Sequence, residues 1–412
     1  MKVLVIGNGA REHAIAKKLY SDGAEIIAAM AKRNPGIASI SKRVEIFDIL
    51  NPDGYARFNG VDFAVIGPDP VLAAGITDVL ESLGIPVVGP RKALARLEWS
   101  KSYAREVLTE NGIPGNPEYK VARNVFEVKE FLKNHSDVAV KPDALTGGKG
   151  VKLTGEHLHS SAETEFYAQE CIKKDGLVVL EEKLLGREFT LQAFVDGRRV
   201  EVMPMVRDYK RAFDGDQGPN TGSMGSFSCP DHLLPDLPPS TVRKGKSIME
   251  QTINSIHKTV GDYRGFLYGG FMSTDKGVYL IEYNARLGDP EAINVLSLLD
   301  SSLVKLSQEI IEGKLSKPCF NNQASVCVYL VPEGYPENPV KDQPITIGKL
   351  TDSDAFYASV YDEDGVVKTT GSRAIALLSH GLSVAEARSR VYSNISQVQG
   401  RLFYRHDIGA GV

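Results

Sequence analysis

Short apolar runs alternate with helical stretches through the first 99 residues, and this alternation constrains the fold more than any other feature of the chain. Strands separated by helices form a parallel sheet with helices on its faces, and ligands bind at the carboxyl ends of its strands. We therefore predict an N-terminal α/β substrate-binding domain at residues 1–99. The runs that predict its strands are residues 2–6, 26–29, 63–66 and 86–88, and the first predicted helix is residues 11–20.

Two of these strands run into loops that can hold an anion, at residues 7–13 and 67–70. The first loop begins Gly-Asn-Gly, but a dinucleotide fingerprint needs a small residue where Glu12 stands. It also needs an acidic residue after the second strand, where this chain reads Met-Ala-Lys-Arg at residues 30–33. NAD is therefore disfavoured. Backbone N–H groups at a helix start suit a single phosphate, although glycines in a tight turn without any ligand remain the alternative.

The composition is that of an ordinary globular protein that binds its ligands locally. The 412 residues include 48 basic and 52 acidic side chains, which gives a net charge of −4 and no general attraction for nucleic acid or an anionic membrane. The apolar runs are far shorter than a membrane span. Four cysteines lack any CxxC or metal-type spacing, so we expect reduced thiols and a cytoplasmic location. We also expect small-molecule substrates and a monomer in preference to an oligomer.

A glycine-rich loop at residues 142–150 separates two predicted strands, at residues 138–141 and 151–153. Because no helix follows the loop, it is not a Walker-type phosphate loop. We interpret it as a flap whose backbone amides and Lys149 close over phosphates, with Lys141 at the strand end as a second cation. A solvent-exposed hairpin is the alternative.

The residue types at residues 281–291 indicate a functional site more directly than any other segment of the chain. If the first half is a strand, Glu282, Asn284 and Arg286 share one face, while Ile281, Tyr283 and Ala285 share the other. A carboxylate and an amide oxygen can hold a hard cation, and a guanidinium can hold a phosphate by two hydrogen bonds. The row thus indicates a metal–phosphate site, and the polar face of a half-solvated strand is the alternative.

The remaining segments complete a three-part organisation. Residues 214–225 are rich in turn residues, so we expect an irregular loop that binds a ligand. Strands and hairpins dominate from residue 322, with one helix opened by Ser383 and Glu386 in a capping-box pattern. We predict a central two-part domain at residues 100–308, with a flap-bearing small lobe at about 117–185, and a C-terminal α+β domain at residues 322–412.

These segments stand in one order, at residues 141–150, 181–188, 214–225 and 281–291, after the glycine loop at residues 7–13. Together they resemble the glycinamide ribonucleotide synthetase (phosphoribosylamine–glycine ligase) family of the ATP-grasp superfamily. The resemblance covers essentially the whole chain, and it is most specific at residues 218–222, 287–291 and 404–409. It implies an N-terminal parallel α/β domain, a two-part ATP-grasp domain and a small C-terminal α+β domain.

The resemblance also implies a reaction and its residues. ATP, glycine and 5-phosphoribosylamine would give glycinamide ribonucleotide, ADP and phosphate through a glycyl phosphate, with Mg2+ or Mn2+. The implied metal ligands are Glu282 and Asn284, and the implied catalytic residues are Arg286, Asp214 and Lys149. The implied ATP-binding residues are Lys101, Lys141, Lys149, Glu181, Lys183, Leu184 and Glu188. The implied residues for glycine and phosphoribosylamine are Gly9, Arg11, Glu12, Pro68, Asp69, Asp214, Pro219, Asn220, Thr221, Gly222 and Asp289.

Three other functions remain as alternatives. The chain could be another ATP-grasp ligase with a different acid or amine, and the segment at residues 214–225 is the feature that discriminates. An NAD-dependent oxidoreductase with an added domain is disfavoured by Glu12 and by the lack of an acidic residue after the second strand. A nucleotide-binding sensor without catalysis is disfavoured by the intact row of Glu282, Asn284 and Arg286.

Overall fold

The structure is a computed structural model, and it describes residues 1–145 and 150–412. Its N-terminal sheet has five parallel strands in the order β3-β2-β1-β4-β5, which confirms the predicted parallel α/β domain. Residues 3–6 of its central strand are fully buried. The elements are β1 (Lys2–Ile6), α1 (Ala10–Ser21), β2 (Glu25–Met30), α2 (Pro35–Ile40), β3 (Ser41–Ile46), β4 (Phe63–Ile66), α3 (Asp69–Ala74), α4 (Ile76–Ser82), β5 (Val87–Val88) and α5 (Lys92–Trp99).

The next segment forms a small lobe around a four-stranded antiparallel sheet in the order β6-β9-β7-β8. Asn124 and Ser160 cap its two helices by accepting hydrogen bonds from Glu127 N and Glu163 N. These helices cover one face of the sheet and close a separate small core. The elements are α6 (Lys101–Glu110), β6 (Tyr119–Ala122), α7 (Val125–Asn134), β7 (Val138–Pro142), β8 (Lys152–Leu153), α8 (Ser161–Asp175) and β9 (Val178–Glu182).

A second antiparallel sheet, in the order β11-β10-β16-β17, faces the small lobe. Between β16 and β17 the pairing shifts between Gly270 and Phe271, so that Ile281 is the extra residue of a β-bulge. The elements of this segment are β10 (Arg187–Gly197), β11 (Val200–Val202), β12 (Arg207–Asp208), β13 (Arg211–Phe213), β14 (Gln217–Asn220), β15 (Gly225–Ser228), α9 (Ser240–Thr259), β16 (Tyr263–Ser273), β17 (Val278–Asn284), α10 (Glu291–Leu298) and α11 (Leu303–Glu312).

The C-terminal segment completes a sheet that begins much earlier in the chain. The order β12-β15-β18-β23-β20 places strands from residues 207–228 beside strands from residues 324–381. Ser383 accepts a hydrogen bond from Glu386 N, which confirms the predicted helix start. The elements are β18 (Ala324–Pro332), β19 (Pro344–Ile347), β20 (Asp354–Tyr357), β21 (Val360–Glu363), β22 (Val366–Thr369), β23 (Ile375–Gly381), α12 (Val384–Ser393), β24 (Val398–Gln399) and β25 (Leu402–Phe403).

The expectation of a wholly irregular loop at residues 214–225 is wrong. Residues 214–216 form one turn of 3-10 helix, and β13 and β14 pair antiparallel on either side of it. Gly215 and Gly218 have positive φ values of 67° and 81°, which explains why this hairpin needs turn residues. The density of glycine, proline and aspartate therefore encodes a tight hairpin with a short connection to β15.

His13 joins the N-terminal domain to the C-terminal segment. It lies on α1, and its Nδ1 accepts a hydrogen bond from Tyr357 N on β20 at 3.0 Å. A Cβ atom at Gly36 would lie 2.1 Å from the His13 ring, so glycine is required there. Burial, and then the nearby Lys17, lower the pKa of His13 to about 3. The imidazole is therefore neutral in the folded protein at neutral pH.

We expect the protein to lose stability as the pH falls from about 6.5 toward 3, in part through His13. The unfolded chain binds a proton at this residue below pH 6.5 whereas the folded chain does not, so protonation favours unfolding. At pH 4.5 this loss should be roughly 2–3 kcal/mol. Chemical denaturation at pH 7.5 and 4.5 measures it, with His13→Gln expected to show a smaller difference between the two pH values. The exposed His159→Gln is the matched control, and equal differences in all three proteins would contradict the prediction.

Candidate active site

A cavity of about 470 Å3, lined by many charged side chains, lies where the N-terminal domain, the small lobe, the second antiparallel sheet and the C-terminal segment meet. Each of these parts contributes lining side chains, for example Arg11, Lys141, Glu282 and Arg373. The implied site residues that line the cavity are Arg11, Asp69, Lys101, Lys141, Glu181, Lys183, Leu184, Glu188, Asn220, Thr221, Gly222, Glu282, Asn284, Arg286 and Asp289.

Glu282 and Asn284 project from β17 into this cavity, as the alternation of the strand predicts. Tyr283 faces the other way, where its hydroxyl lies 2.9 Å from Thr252 Oγ1 on α9. Within the described residues, neither Glu282 nor Asn284 makes a side-chain hydrogen bond or ion pair. Two hard oxygen donors thus remain free beside a polar cavity, and this donor set fits Mg2+ or Mn2+. No group of three or more His, Cys, Asp or Glu side chains with metal-site geometry occurs among the described residues.

Arg286 is held by two carboxylates at the edge of the cavity. Its Nη2 lies 2.8 Å from Glu98 and its Nε lies 3.7 Å from Asp69. Glu98 also accepts a hydrogen bond from Ala285 N. Burial raises the pKa of Glu98 to about 7, and Arg286 opposes this shift. Helices α5 and α3 of the N-terminal domain, which carry Glu98 and Asp69, therefore fix the direction of the Arg286 guanidinium.

A buried charge triad places Lys141. The Lys141 Nζ atom lies 2.6 Å from Glu181 and donates to Ile281 O. Arg105 forks onto both oxygens of Glu181 at 2.7 and 2.8 Å and donates to Leu280 O and Ile281 O. Burial raises the pKa of Glu181, but Arg105 and Lys141 outweigh it and the net pKa is lowered. At the bulge, the carbonyls of Leu280 and Ile281 both point toward the triad of Lys141, Glu181 and Arg105. The bulge therefore lets these hydrogen bonds join the small lobe to β17.

Three further residues implied to bind ATP already have polar partners. Lys101 Nζ donates to Ala144 O at 3.1 Å, and Lys183 lies 3.0 Å from Glu156. Glu188 is paired with Lys210 at 2.5 Å. Lys149 lies outside the described residues.

The N-terminal loop is built around the carboxylate of Glu12. It accepts hydrogen bonds from Gly9 N at 2.6 Å and from Arg11 Nε at 2.7 Å. A Cβ at Gly67 would lie 2.1 Å from Glu12 Oε1, so the glycines of both loops make room for this side chain. Glu12 is thereby buried beneath the loop, and Pro68 precedes α3 as its N-cap residue. Arg11 and Asp69 reach the cavity, whereas Gly9, Glu12 and Pro68 do not line it.

The structure places Asp214 away from the cavity. Its carboxylate accepts a hydrogen bond from His406 N and lies 2.9 Å from His406 Nδ1, near the C-terminal end of the chain. Pro219 lines a separate surface groove with Phe213 and Phe403. The implied substrate segment is therefore split, because only Asn220, Thr221 and Gly222 face the cavity.

Arg373 ties this segment to the turn after β17. It donates to Ser223 O at 3.0 Å, to Asp289 O at 2.8 Å and also to Gly222 O. The Asp289 carboxylate accepts from the Tyr329 hydroxyl at 2.5 Å. The C-terminal segment thus forms one wall of the cavity.

Sequence reasoning missed several residues that line the cavity. The run Arg-Asp-Tyr-Lys-Arg at residues 207–211 carried a signal, because it combines both charges directly before the hairpin. Glu98 and Arg373 carried none, since each is a single charge in an otherwise ordinary helix or loop. The missed cavity residues are Glu98, Arg105, Asp208, Lys210, Tyr268, Glu291 and Arg373.

The chain matches the models of three domains of one family over most of its length. They are the N domain of phosphoribosylglycinamide synthetase at residues 1–98, its ATP-grasp (A) domain at residues 99–292 and its C domain at residues 325–411. The phosphoribosylamine–glycine ligase of Methanocella arvoryzae is 46% identical over 99% of this chain and 96% of its own. The corresponding ligase of Methanosarcina barkeri is 43% identical over the same shares of the two chains.

Solved structures agree with these matches. The phosphoribosylamine–glycine ligase of Thermotoga maritima has a TM-score of 0.87 at 32% identity and covers 99% of this chain and 100% of its own. The biotin carboxylase domain of the Hydrogenobacter thermophilus 2-oxoglutarate carboxylase has a TM-score of 0.74 at 16% identity, covers 98% and 91% of the two chains, and shares the fold alone.

The two antiparallel sheets, with the buried Lys141 and the row of Glu282 and Asn284 at the cavity between them, and the match to the ATP-grasp (A) domain define an ATP-grasp enzyme. The matches over all three parts identify the particular group. The chain belongs to the phosphoribosylglycinamide synthetase family. Enzymes of the ATP-grasp class generally use ATP with Mg2+ or Mn2+. No helix among the described residues is long and apolar enough to cross a membrane.

Proposed function

We propose that this chain joins glycine to 5-phosphoribosylamine in a reaction that consumes ATP and gives glycinamide ribonucleotide, ADP and phosphate. This reaction is a step of purine biosynthesis. The names of the full-length relatives support this activity. The observation that carries it is the row of Glu282, Asn284 and Arg286 facing one cavity with Lys141. Such a row supplies cation ligands and positive charge where anionic groups must meet.

The reaction has two steps. A glycine carboxylate oxygen attacks the γ-phosphorus of ATP, and ADP leaves to give glycyl phosphate. The amine of phosphoribosylamine then attacks the acyl carbon, inorganic phosphate leaves, and the nitrogen loses a proton as the amide forms. Since both steps bring anions together or create them, catalysis consists mainly of neutralising charge and holding the reactants in line.

We assign the nucleotide to the space between the small lobe and β17. Lys101 and Lys141 would contact its phosphates, and Lys183 and Leu184 would line the base pocket. Glu181 acts on Lys141 through the buried triad, so we assign it a positioning role in place of direct contact with adenine. Glu188 would accept ribose hydroxyls while it remains paired with Lys210. Lys149 is retained as a prediction for the flap.

Glu282 and Asn284 would hold a divalent cation, Mg2+ or Mn2+. When bound, such an ion screens the phosphate charge and orients the phosphate chain. Arg286, fixed by Glu98 and Asp69, would face the transferring phosphoryl oxygens with the guanidinium edge that these carboxylates leave free.

Phosphoribosylamine would enter from the N-terminal domain. Arg11 and Asp69 line that side of the cavity, and Gly9, Glu12 and Pro68 shape the loop that supports them. Asn220, Thr221 and Gly222 face the same cavity from the hairpin, and Asp289 lies at the turn after β17. We assign these residues to the two small substrates. Asp214 and Pro219 would act through the shape of the hairpin.

The experiment supplies purified protein with ATP and Mg2+, and follows ADP release with glycine alone, with phosphoribosylamine alone and with both. We expect sustained ADP release only with both substrates, together with glycinamide ribonucleotide as the product. Release that is independent of either substrate would overturn the assignment. Release with a different acid or amine would favour another ATP-grasp carboxylate–amine ligase.

A further inference from the structure

Glu156 lies in the turn after β8, and its carboxylate joins two cations from different parts of the chain. One oxygen lies 3.0 Å from Lys183 Nζ directly after β9, and the other accepts a hydrogen bond from Arg211 Nη2 on β13 at 2.7 Å. Lys183 also donates to Thr154 O in the same turn. Burial raises the pKa of Glu156, but Lys183 and then Arg211 outweigh it and the net pKa is lowered. The carboxylate is therefore ionised at neutral pH and holds both cations.

The contact between Glu156 and Arg211 crosses from one part of the molecule to another. Glu156 and Lys183 belong to the small lobe, whereas Arg211 belongs to the β13–β14 hairpin. Among the described residues, no other hydrogen bond or ion pair joins the small lobe to this hairpin. Lys183 lines the cavity, but Glu156 and Arg211 do not. The ion pair therefore connects two walls of the cavity from outside it.

Arg211 lies directly opposite Asn220 in the hairpin, because the two residues are paired in the β13–β14 register. Asn220 and the neighbouring Thr221 line the cavity. Thr221 N and Oγ1 both donate to Lys210 O, at 2.7 and 2.8 Å. Arg211 Nη1 donates to Gly218 O on the opposite strand at 3.0 Å. The residue that the small lobe contacts is thus joined firmly to the part of the hairpin that faces the cavity.

The base of the hairpin is held by the C-terminal segment of the chain. Arg405 is 1% exposed, and its guanidinium donates to Arg211 O at 3.0 Å and to Asp216 Oδ1 at 2.9 Å. It also forks onto Asp407, which accepts a hydrogen bond from Gly215 N at 2.9 Å. These contacts fix the hairpin to the body of the protein. Arg211 therefore offers the small lobe a fixed point of attachment.

We propose that the Glu156–Arg211 ion pair docks the small lobe on the hairpin and thereby holds closed the nucleotide site between the small lobe and β17. Glu156 and Arg211 are positioning residues, because neither reaches the cavity. The inference rests on the proposed function, which assigns the nucleotide to that space. The small lobe has a core of its own, so its position relative to β17 can change while its structure is kept. A ligand that binds only the closed position gains affinity when the ion pair favours that position.

The test measures the Kd of a non-hydrolysable ATP analogue with Mg2+ by calorimetric titration, without glycine or phosphoribosylamine. Arg211→Met should raise this Kd about two- to fivefold, although Arg211 belongs to the hairpin and not to the nucleotide site. Arg211 and Glu156 are 26% and 37% exposed, and a fivefold change corresponds to about 1 kcal/mol, the upper limit for such an ion pair. Glu156→Gln should raise the Kd at least as much, because it also frees Lys183. The double variant should not exceed Glu156→Gln, since both changes break one contact.

Glu165→Gln is the matched control, because Glu165 pairs with Lys129 at 3.4 Å within the small lobe, and its Kd for the analogue should equal that of the wild type. The midpoint of thermal unfolding reports the fold of each variant. If Arg211→Met does not fold, Arg211→Lys takes its place, with a smaller rise in Kd expected. An unchanged Kd in the folded Arg211 variant overturns the docking role. So do independent, additive losses in the double variant, since Glu156 would then act only through Lys183.

The docking role and the proposed function fail differently, because the titration contains neither small substrate. If both variants weaken the binding of the analogue as expected but ADP release does not depend on glycine and phosphoribosylamine, the proposed function fails and the docking role is supported. If ADP release requires both substrates but both variants bind the analogue like the wild type, the proposed function holds and the docking role is overturned. A wild-type protein that does not bind the analogue refutes both.

Discussion

Glu282→Gln is expected to lower kcat about 10²–10³-fold at millimolar Mg2+ while the free energy of unfolding changes by less than about 1 kcal/mol. The carboxylate is half-buried, faces the cavity and makes no hydrogen bond to the described residues, so the fold does not depend on it. The amide keeps the shape but removes the charge that binds a hard cation. Higher Mg2+ or Mn2+ should restore part of the activity.

The measurement combines kcat as a function of Mg2+ concentration with calorimetric titration of Mg2+ into the protein saturated with ADP. Glu201→Gln on β11 is the control, because Glu201 belongs to the same sheet and lies 3.6 Å from Lys246 at the surface. A Glu282→Gln variant with near-wild-type kcat and unchanged Mg2+ affinity would refute the metal role. A large loss of stability would show that Glu282 supports the fold instead.

Arg105→Met is expected to lower the free energy of unfolding by about 3–5 kcal/mol and to raise KM for ATP at least about tenfold. The change removes the fork on Glu181 and the hydrogen bonds from Arg105 to Leu280 O and Ile281 O, so that Ile281 O keeps only its hydrogen bond from Lys141. Lys141 would then pair with a Glu181 carboxylate that is held less firmly. Arg105→Lys restores the charge without the fork and should recover only part of either loss.

Chemical denaturation and ATP titration check this prediction. Arg401→Met serves as the control, because Arg401 is exposed and pairs with Glu333 at the surface, where an ion pair contributes at most about 1 kcal/mol. If Arg105→Met matched this control in stability and in KM for ATP, the triad would have no positioning role. A loss of stability with unchanged KM would restrict Arg105 to the fold.

The fold was predictable where the sequence pattern is local. The alternation of strands and helices predicted the parallel N-terminal sheet, and the capping-box pattern of Ser383 and Glu386 predicted the start of α12. The two-residue period placed Glu282 and Asn284 on the cavity face of β17. The β-bulge at Ile281 was not predicted, because a bulge depends on how β16 pairs with β17 and not on the sequence of β17 alone.

The candidate site was predictable only in part. The segment at residues 214–225 was recognised as special, but its hairpin directs Asn220 to the cavity and Asp214 to His406. Glu181 was predicted to bind ATP, and the structure adds that its carboxylate is engaged by Arg105 and Lys141 from two other elements. The proposed division at residues 99, 308 and 322 stays a prediction. One sheet joins β15 to β18 across the last two of these bounds.

The sequence by itself determined the fold class, the family, and the row of Glu282, Asn284 and Arg286, because strand periodicity and ordered motifs are properties of neighbouring residues. Only the tertiary structure decided how the charges pair. Glu98 reaches Arg286 and Arg373 reaches Asp289 from positions 188 and 84 residues away along the chain. Within the described residues, those pairings leave Asp208 and Glu291 without an ion pair, since the charges around a cavity depend on every element that packs against it.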